Sequence, residues 1–99
     1  MSFSLDVWQA AEDDIADAAA WYAGRSGNLG TQFLDVVAES LSHVRVGPEA
    51  FPAVHGKVRR ALLTRFPYAL FFFVDDDFVR VVACMHVRRD PVRWQKRAR

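Results

Sequence analysis

The chain has 99 residues, of which 52% are hydrophobic, and a formal net charge of +1. This length predicts one domain over residues 1–99, and this apolar share can form a core without disulfide or metal staples. Cys84 is the only cysteine and lies in an apolar run, which excludes an internal disulfide and favours a reducing compartment. No apolar run is as long as a membrane span, and the first residues lack the basic start of a signal peptide. A cytoplasmic protein without a membrane partner is therefore expected.

The charge is distributed unevenly along the chain. Residues 1–46 hold two cations and seven acids, a net charge of −5, whereas residues 47–99 hold eleven cations and five acids, a net charge of +6. A basic half of this kind favours an anionic partner, of which nucleic acid is the usual example. The competing interpretation, given equal weight on charge alone, is that the two halves neutralise each other within the fold or in a dimer.

The first predicted elements are a strand and two helices. "FSLDVW" at 3–8 alternates apolar and polar residues, as a strand does, and "AAEDDIADAAAWYAGRSG" at 10–27 has apolar residues at helical spacing. The acids at 12–14 resemble a carboxylate site, but their place at a helix start favours stabilisation of the helix dipole. "NLGTQFLDVVAESLSHVRVG" at 28–47 predicts a second helix, and the short junction predicts an antiparallel helical hairpin.

Three more strands are predicted after a Gly- and Pro-punctuated loop. They cover residues 57–66, 68–74 and 78–86, and the acids at 75–77 form a hairpin turn between the last two. The predicted fold class is therefore α+β, with the order β-α-α-β-β-β. An antiparallel helical hairpin packs on a mainly antiparallel four-stranded sheet.

The strand at 68–74 is apolar on both of its faces. A helical hairpin can cover only one face of a sheet, so the run Phe71, Phe72 and Phe73 requires a second cover. The C-terminal tail, a protein partner or a second copy of the chain could supply it, and an uncovered patch would be an interaction site.

His86 is the histidine whose neighbours suggest chemistry. It ends the last predicted strand, and Arg59 and Arg65 come from the strand predicted beside it. A ribonuclease that uses no metal needs a base, an acid and cations that hold the phosphorane charge, and histidine and arginine can supply these. Glu49 or Tyr68 could be the second proton-transfer group. From these residues alone, the favoured interpretation is that His86 bonds a backbone carbonyl and the arginines are solvated.

Neither a metal site nor a cofactor site is predicted. The histidines have no cysteine or carboxylate companions at the spacing of metal ligands, and the acids at 75–77 have no glutamate at the spacing of a calcium loop. Cys84 is interpreted as a small packed side chain and not as a nucleophile.

Several segments together resemble one known superfamily. They are "DIADAAAWY", "LGTQFLDVV", "PEAFPAV" and "VRRALLTRFPYALFFFVDDDFVRVVACMHVRRDPVRW", and the similarity runs from about residue 3 to residue 94. In order and spacing they resemble the ParE/RelE superfamily of type II toxin–antitoxin toxins, above all its ParE-type, plasmid stabilization branch. The resemblance implies the predicted fold and a cytoplasmic growth inhibitor that a cognate antitoxin neutralises, in a possible hetero-oligomer. The antitoxin would supply the cover for Phe71, Phe72 and Phe73.

The resemblance implies two alternative targets. RelE-like members cut mRNA on the ribosome, and by position Arg59, Arg65 and His86 match groups that cleaving members use, with Glu49 as a loose match. Cleaving members often carry a tyrosine near the C-terminus, which this chain lacks, and "FPYALFF" with "HVRRDP" is more like ParE. Inhibition of DNA gyrase is therefore preferred to mRNA cleavage. A third alternative is a non-toxic module that binds RNA or protein through its basic face.

The basic C-terminal segment at 86–99 is the predicted surface for the target. Cations crowd this segment, and a single acid, Asp90, opposes them. The residues predicted to bind the target are Arg88, Arg89, Arg93, Trp94, Lys96 and Arg97.

Overall fold

A computed structural model describes residues 2–88 and 92–97 of the chain. The elements are β1 (Ser4–Val7), α1 (Gln9–Arg25), α2 (Leu29–Val46), a 3-10 turn (Pro48–Ala50), β2 (Ala53–His55), β3 (Val58–Leu62), β4 (Tyr68–Asp75), β5 (Phe78–His86) and α3 (Val92–Arg97). The predicted α+β fold with two consecutive helices on a mainly antiparallel sheet is confirmed.

The sheet has five strands, so the predicted count of four is wrong. Its order is β1-β5-β4-β3-β2, with β1 parallel to β5 and the other neighbours antiparallel. The additional strand is β2, which lies in the segment that the sequence predicts as a loop. Its three residues are too few to show the alternation of a strand, and it pairs with β3 in an irregular register.

The strand predicted at 57–66 is shorter than expected. It ends at Leu62, and the chain then forms a turn before β4 begins at Tyr68. Arg65 lies in this turn with a φ of 70°, a left-handed conformation that no regular strand contains. The prediction that Arg65 belongs to the strand is therefore wrong.

The sheet separates two apolar clusters. Leu70 and Phe72 of β4 face α1 and α2, where they join Phe33 in the larger cluster. Phe71 and Phe73 face the opposite side and join a smaller cluster. The residues on β4 alternate between the faces because successive strand side chains point in opposite directions.

The C-terminal helix α3 covers the second face. The Trp94 ring stacks on the Phe71 ring, with 4.3 Å between the centroids and 13° between the planes. Phe71 is consequently 4% exposed and Trp94 6% exposed. Of the three covers that the sequence leaves open, the chain's own tail is the one present here.

The two long helices approach each other closely at Gly30. A Cβ atom at this position would lie 2.8 Å from the carbonyl oxygen of Ala19 and 2.9 Å from the Cβ of Ala23. Both distances are below van der Waals contact, so the hairpin in this geometry requires glycine there.

Candidate functional site

A cleft of about 260 Å³ opens between α1, the end of β5 and α3. Acidic, aromatic and basic side chains from these three elements and from the start of β4 line it. The lining residues are Asp14, Asp17, Ala18, Trp21, Tyr68, Cys84, Met85, His86 and Arg93.

His86 lies at the end of β5, on the wall of this cleft. Its Nδ1 accepts a hydrogen bond of 3.2 Å from the backbone N–H of Arg88, so the neutral imidazole carries its proton on Nε2. The sequence-based interpretation gives His86 a backbone carbonyl as its partner, whereas the backbone group that it meets at Nδ1 is a donor. The ring also meets Tyr68 edge to face, with 5.4 Å between the centroids. Tyr68 is thus the nearer of the two predicted proton-transfer partners, because Glu49 is exposed on the 3-10 turn and is not among the cleft residues.

The two arginines predicted to act with His86 are engaged elsewhere. Arg59 pairs in register with Phe72, whereas His86 pairs with Tyr68. These positions are four residues apart along β4, which is about 13 Å at the usual rise of a strand. Nη1 of Arg59 donates to the Phe51 carbonyl at 2.6 Å. The described structure does not bring Arg59 to His86.

Arg65 is likewise not part of the cleft. Its Nη2 donates to Oε1 of Gln32 on α2 at 2.8 Å, and neither residue lines the cleft. The cation that does line the cleft beside His86 is Arg93, which the sequence assigns to target binding.

The residues predicted to bind the target separate into two groups. Arg88, Arg93 and Lys96 are exposed, whereas Trp94 is buried against Phe71. Arg97 faces inward and forms an ion pair with Asp14. Arg89 lies outside the residues that the structure describes.

The Asp14–Arg97 pair connects α1 to α3 at the outer edge of β5. Nη1 of Arg97 lies 2.6 Å from Oδ2 of Asp14 and also donates to the Val82 carbonyl at 3.2 Å. Oδ2 of Asp14 accepts in addition from the backbone N–H of Cys84 at 3.0 Å. The sequence assigns Asp14 only to the acidic start of a helix. No local pattern connects it to Arg97, which lies 83 positions later.

Two of the ion pairs in the described chain join its acidic and basic halves. One is Asp14–Arg97, and the other connects Arg80 to Asp6 at 2.6 Å, while Arg80 also contacts Asp75 at 3.1 Å. These carboxylates raise the pKa of the Arg80 guanidinium. Neutralisation within the fold therefore accounts for part of the charge asymmetry, and the exposed cations of the tail are a separate surface.

Cys84 is a packed side chain, as the sequence predicts. Burial, and secondarily the charge of Asp14, raises the pKa of its thiol to about 12. A thiolate is the nucleophilic form of cysteine, so this residue is protonated and unreactive near neutral pH.

The described residues contain no group of three His, Cys, Asp or Glu side chains placed to hold a metal ion. Within the same ranges, none of the helices is long and apolar enough to span a membrane.

The architecture has a counterpart among solved structures of toxin–antitoxin proteins. The chain is similar to one from the chromosomal ParDE TA system from P. aeruginosa, with a TM-score of 0.77 and 17% sequence identity. The match covers 86% of this chain and 96% of that chain, and at this identity it establishes a shared fold. No curated protein shows a significant match.

The family follows from the sequence match. Residues 6–91 match the family described as ParE toxin of type II toxin-antitoxin system, parDE. The chain belongs to the ParE toxin family, which confirms the resemblance seen in its motifs. It is the toxin component of a type II toxin–antitoxin system and has an antitoxin as its partner. Inhibition of DNA gyrase is the role of this family.

Proposed function

We propose that this toxin acts on DNA gyrase in the cytoplasm and that its exposed C-terminal cations contact the target. The observation that carries the proposal is the family match over residues 6–91. The surface chemistry supports it, because Arg88, Arg93 and Lys96 are exposed on and near α3. Arg89 is assigned to the same surface from the sequence, and Trp94 and Arg97 contribute by holding α3 in place.

For the antitoxin, the proposed contact is the sheet face that carries Phe71 and Phe73. Phe72 points into the helix-side core and is 0% exposed, so direct contacts fall to its two neighbours. Phe71 is covered by Trp94 and Phe73 by Trp8 and Lys57. An antitoxin segment that reaches Phe71 has to replace the Trp94 ring, and an acidic segment would suit the cations beside it.

Cleavage of mRNA is the second candidate, and one observation favours it. His86 and Tyr68 meet in the cleft, and Arg93 lines the same space. An imidazole, a phenol and a guanidinium could serve as base, acid and phosphate ligand. Against this candidate, Arg59 and Arg65 bond to Phe51 and Gln32 and do not line the cleft.

Three measurements, two of them on one induced culture, separate these functions. Plasmid supercoiling and the 5′ ends of mRNA are followed during the first minutes after induction without the antitoxin, and purified toxin is added to a gyrase supercoiling assay. Loss of supercoiling with intact messages is expected. Discrete cuts inside translated codons with normal gyrase activity would replace the proposal with the ribonuclease. Absence of growth arrest would leave a module that binds without toxicity.

Variants of α3 and of the cleft test the two candidate functions in the same assay. The double change Arg93→Gln/Lys96→Gln should raise the half-inhibitory concentration for gyrase by about tenfold, because cations at an interface accelerate association with an anionic or polar target. His86→Ala should leave inhibition unchanged, and Arg25→Gln is the matched control on the exposed last turn of α1. If His86→Ala alone abolished toxicity, the cleft would be the active site.

A further inference from the structure

We propose that Asp14 is a positioning residue for toxin action, which holds α3 and its cations Arg93 and Lys96 against the body of the toxin. This inference rests on the proposed function in one respect, namely that the target is contacted through α3. Asp14 itself does not contact the target in this scheme, because its carboxylate is turned toward β5 and α3.

The carboxylate of Asp14 contacts two elements at once, helix α3 and strand β5. Both carboxylate oxygens face the Arg97 guanidinium, at 2.6 Å for Oδ2–Nη1 and 3.2 Å for Oδ1–Nη2. Oδ2 also accepts the Cys84 backbone N–H at 3.0 Å. One side chain of α1 thereby fixes both a strand of the sheet and the last turn of α3. The paired side chains are 12% exposed for Asp14 and 23% exposed for Arg97, so water screens the contact only in part.

The contact lies at an open edge of the sheet. β1 pairs with β5 only as far as Val7, opposite Val81, and β5 continues to His86. The register between β4 and β5 shifts directly after this point, between Phe71 and Phe72. Buried backbone groups require partners. In this stretch Arg97 binds the Val82 carbonyl and Asp14 binds the Cys84 N–H, in the place that a longer β1 would occupy.

Helix α3 is too short to be stable without contacts to the rest of the toxin. α3 has six residues, which is far below the length at which a helix is stable in water. Its described anchors are the Trp94–Phe71 stack, the edge contact of Trp94 with His55, the Arg97–Asp14 pair and the bond from Arg97 to the Val82 carbonyl. The aromatic contacts fix the middle of α3, and the ion pair fixes its end. Without the ion pair, the end of α3 would keep only the weaker bond to the Val82 carbonyl, and the positions of Arg93 and Lys96 relative to the body would be less well fixed.

The neighbouring acids of α1 do not share this role. Asp13 is exposed and accepts from Nε2 of Gln9 at 2.9 Å, one turn earlier on the same helix. Asp13→Asn is therefore a matched control for Asp14→Asn, since both remove one charge from the same turn of α1. Asparagine at position 14 keeps the size of the side chain and an acceptor for the Cys84 N–H, but it cannot neutralise Arg97.

The test compares these two variants in the full-length toxin. Amide hydrogen exchange is measured for α3 and for the Cys84 N–H, together with the midpoint of thermal unfolding and growth arrest on induction without the antitoxin. Asp14→Asn should accelerate exchange in α3 by about tenfold or more and weaken growth arrest, with an unfolding midpoint close to that of Asp13→Asn. Arg97→Gln, which changes only the end of α3, should reproduce both effects.

Two results would overturn the inference. One is α3 exchange in Asp14→Asn and Arg97→Gln that equals the exchange in Asp13→Asn. The other is full toxicity in a variant whose α3 exchanges rapidly, which would show that the position of α3 is irrelevant to action. The gyrase assay on the unchanged toxin is read separately. If the toxin arrests growth without inhibiting gyrase, the proposed target falls, while the exchange and growth comparison still decides the role of Asp14.

Discussion

The two faces of the sheet are covered in very different ways. On one face, α1 with 17 residues and α2 with 18 residues pack over a cluster that includes Phe33 and Phe72. On the other face, the six residues of α3 lie over Phe71, and one tryptophan supplies most of the aromatic contact. Both faces of β4 are equally apolar, so the sequence of the strand does not cause the difference. The difference comes from the amount of helix that covers each face.

This difference indicates that the two faces of the sheet have different roles. The hairpin cover is connected at both ends to the rest of the fold and shares a continuous core with the sheet, so its removal means global unfolding. The α3 cover can detach locally, because a small element with few buried contacts opens at a lower free energy than the whole domain. The proposed contacts with target and antitoxin fall on this second face.

Adjacent phenylalanines on β4 provide the strongest test of the comparison. Phe72→Ala should lower the free energy of unfolding by about 3–5 kcal/mol, because it leaves a cavity in the closed core. Phe71→Ala should lower it by about 2 kcal/mol, since α3 can move or detach to relieve the cavity. Urea denaturation of both variants measures the two values. Equal losses would contradict the comparison and indicate that α3 is as firmly attached as the hairpin.

Gly30 tests whether the hairpin is as closely packed as the structure indicates. Gly30→Ala should lower the free energy of unfolding by about 1–3 kcal/mol, because its Cβ would meet the backbone oxygen of Ala19. Gly24→Ala is the control within the same hairpin, because an added Cβ there meets no atom within 4 Å. It should raise stability by about 0.5 kcal/mol through the reduced freedom of the unfolded chain. If both variants behaved alike, the close approach at Gly30 would be refuted.

Cys84 gives the smallest effect, which is absent at neutral pH. The unfolded thiol ionises near its ordinary pKa of 9.0, whereas in the folded protein burial raises the pKa to about 12. Above pH 9 the unfolded state therefore holds fewer protons, and stability falls as pH rises through this range. Cys84→Ala lacks this contribution. Its free energy of unfolding, plotted against pH, should run parallel to that of the unchanged protein up to about pH 8 and decline less steeply above it. Two curves that stayed parallel over the whole pH range would show that the thiol is not buried.

Much of the fold follows from patterns that are local in sequence. Helical spacing with Gly47 and Pro48 predicts α2 and its end at Val46, and the alternation of "FVRVVACMH" predicts β5 over the residues it occupies. Strand β2 escapes prediction because three residues between Pro52 and Gly56 show no period. The early end of β3 escapes because Arg65 adopts a left-handed turn without the glycine or asparagine that usually marks one.

The site is less predictable than the fold. His86 at the end of β5 follows from the strand pattern, whereas the engagement of Arg59 with Phe51 depends on where the loop after α2 folds back. The inward placement of Arg97 could not be inferred, because a run of cations is usually solvated and the sequence does not say which member meets an acid. The sequence places Asp14 near a helix start, as the structure does, but its partners Cys84 and Arg97 are 70 and 83 positions away.

The pairing of β1 with β5 constrains when this toxin can become harmful. Ser4 pairs with Phe78, which is synthesised 74 positions later, and Arg97 reaches Asp14 across 83 positions. Contacts between residues this far apart in sequence make folding slow. A chain that breaks off before residue 78 therefore has no partner for β1, and one that breaks off before residue 97 cannot form the ion pair with Asp14. The edge of the sheet and the end of α3 can reach their final positions only after both segments have been translated.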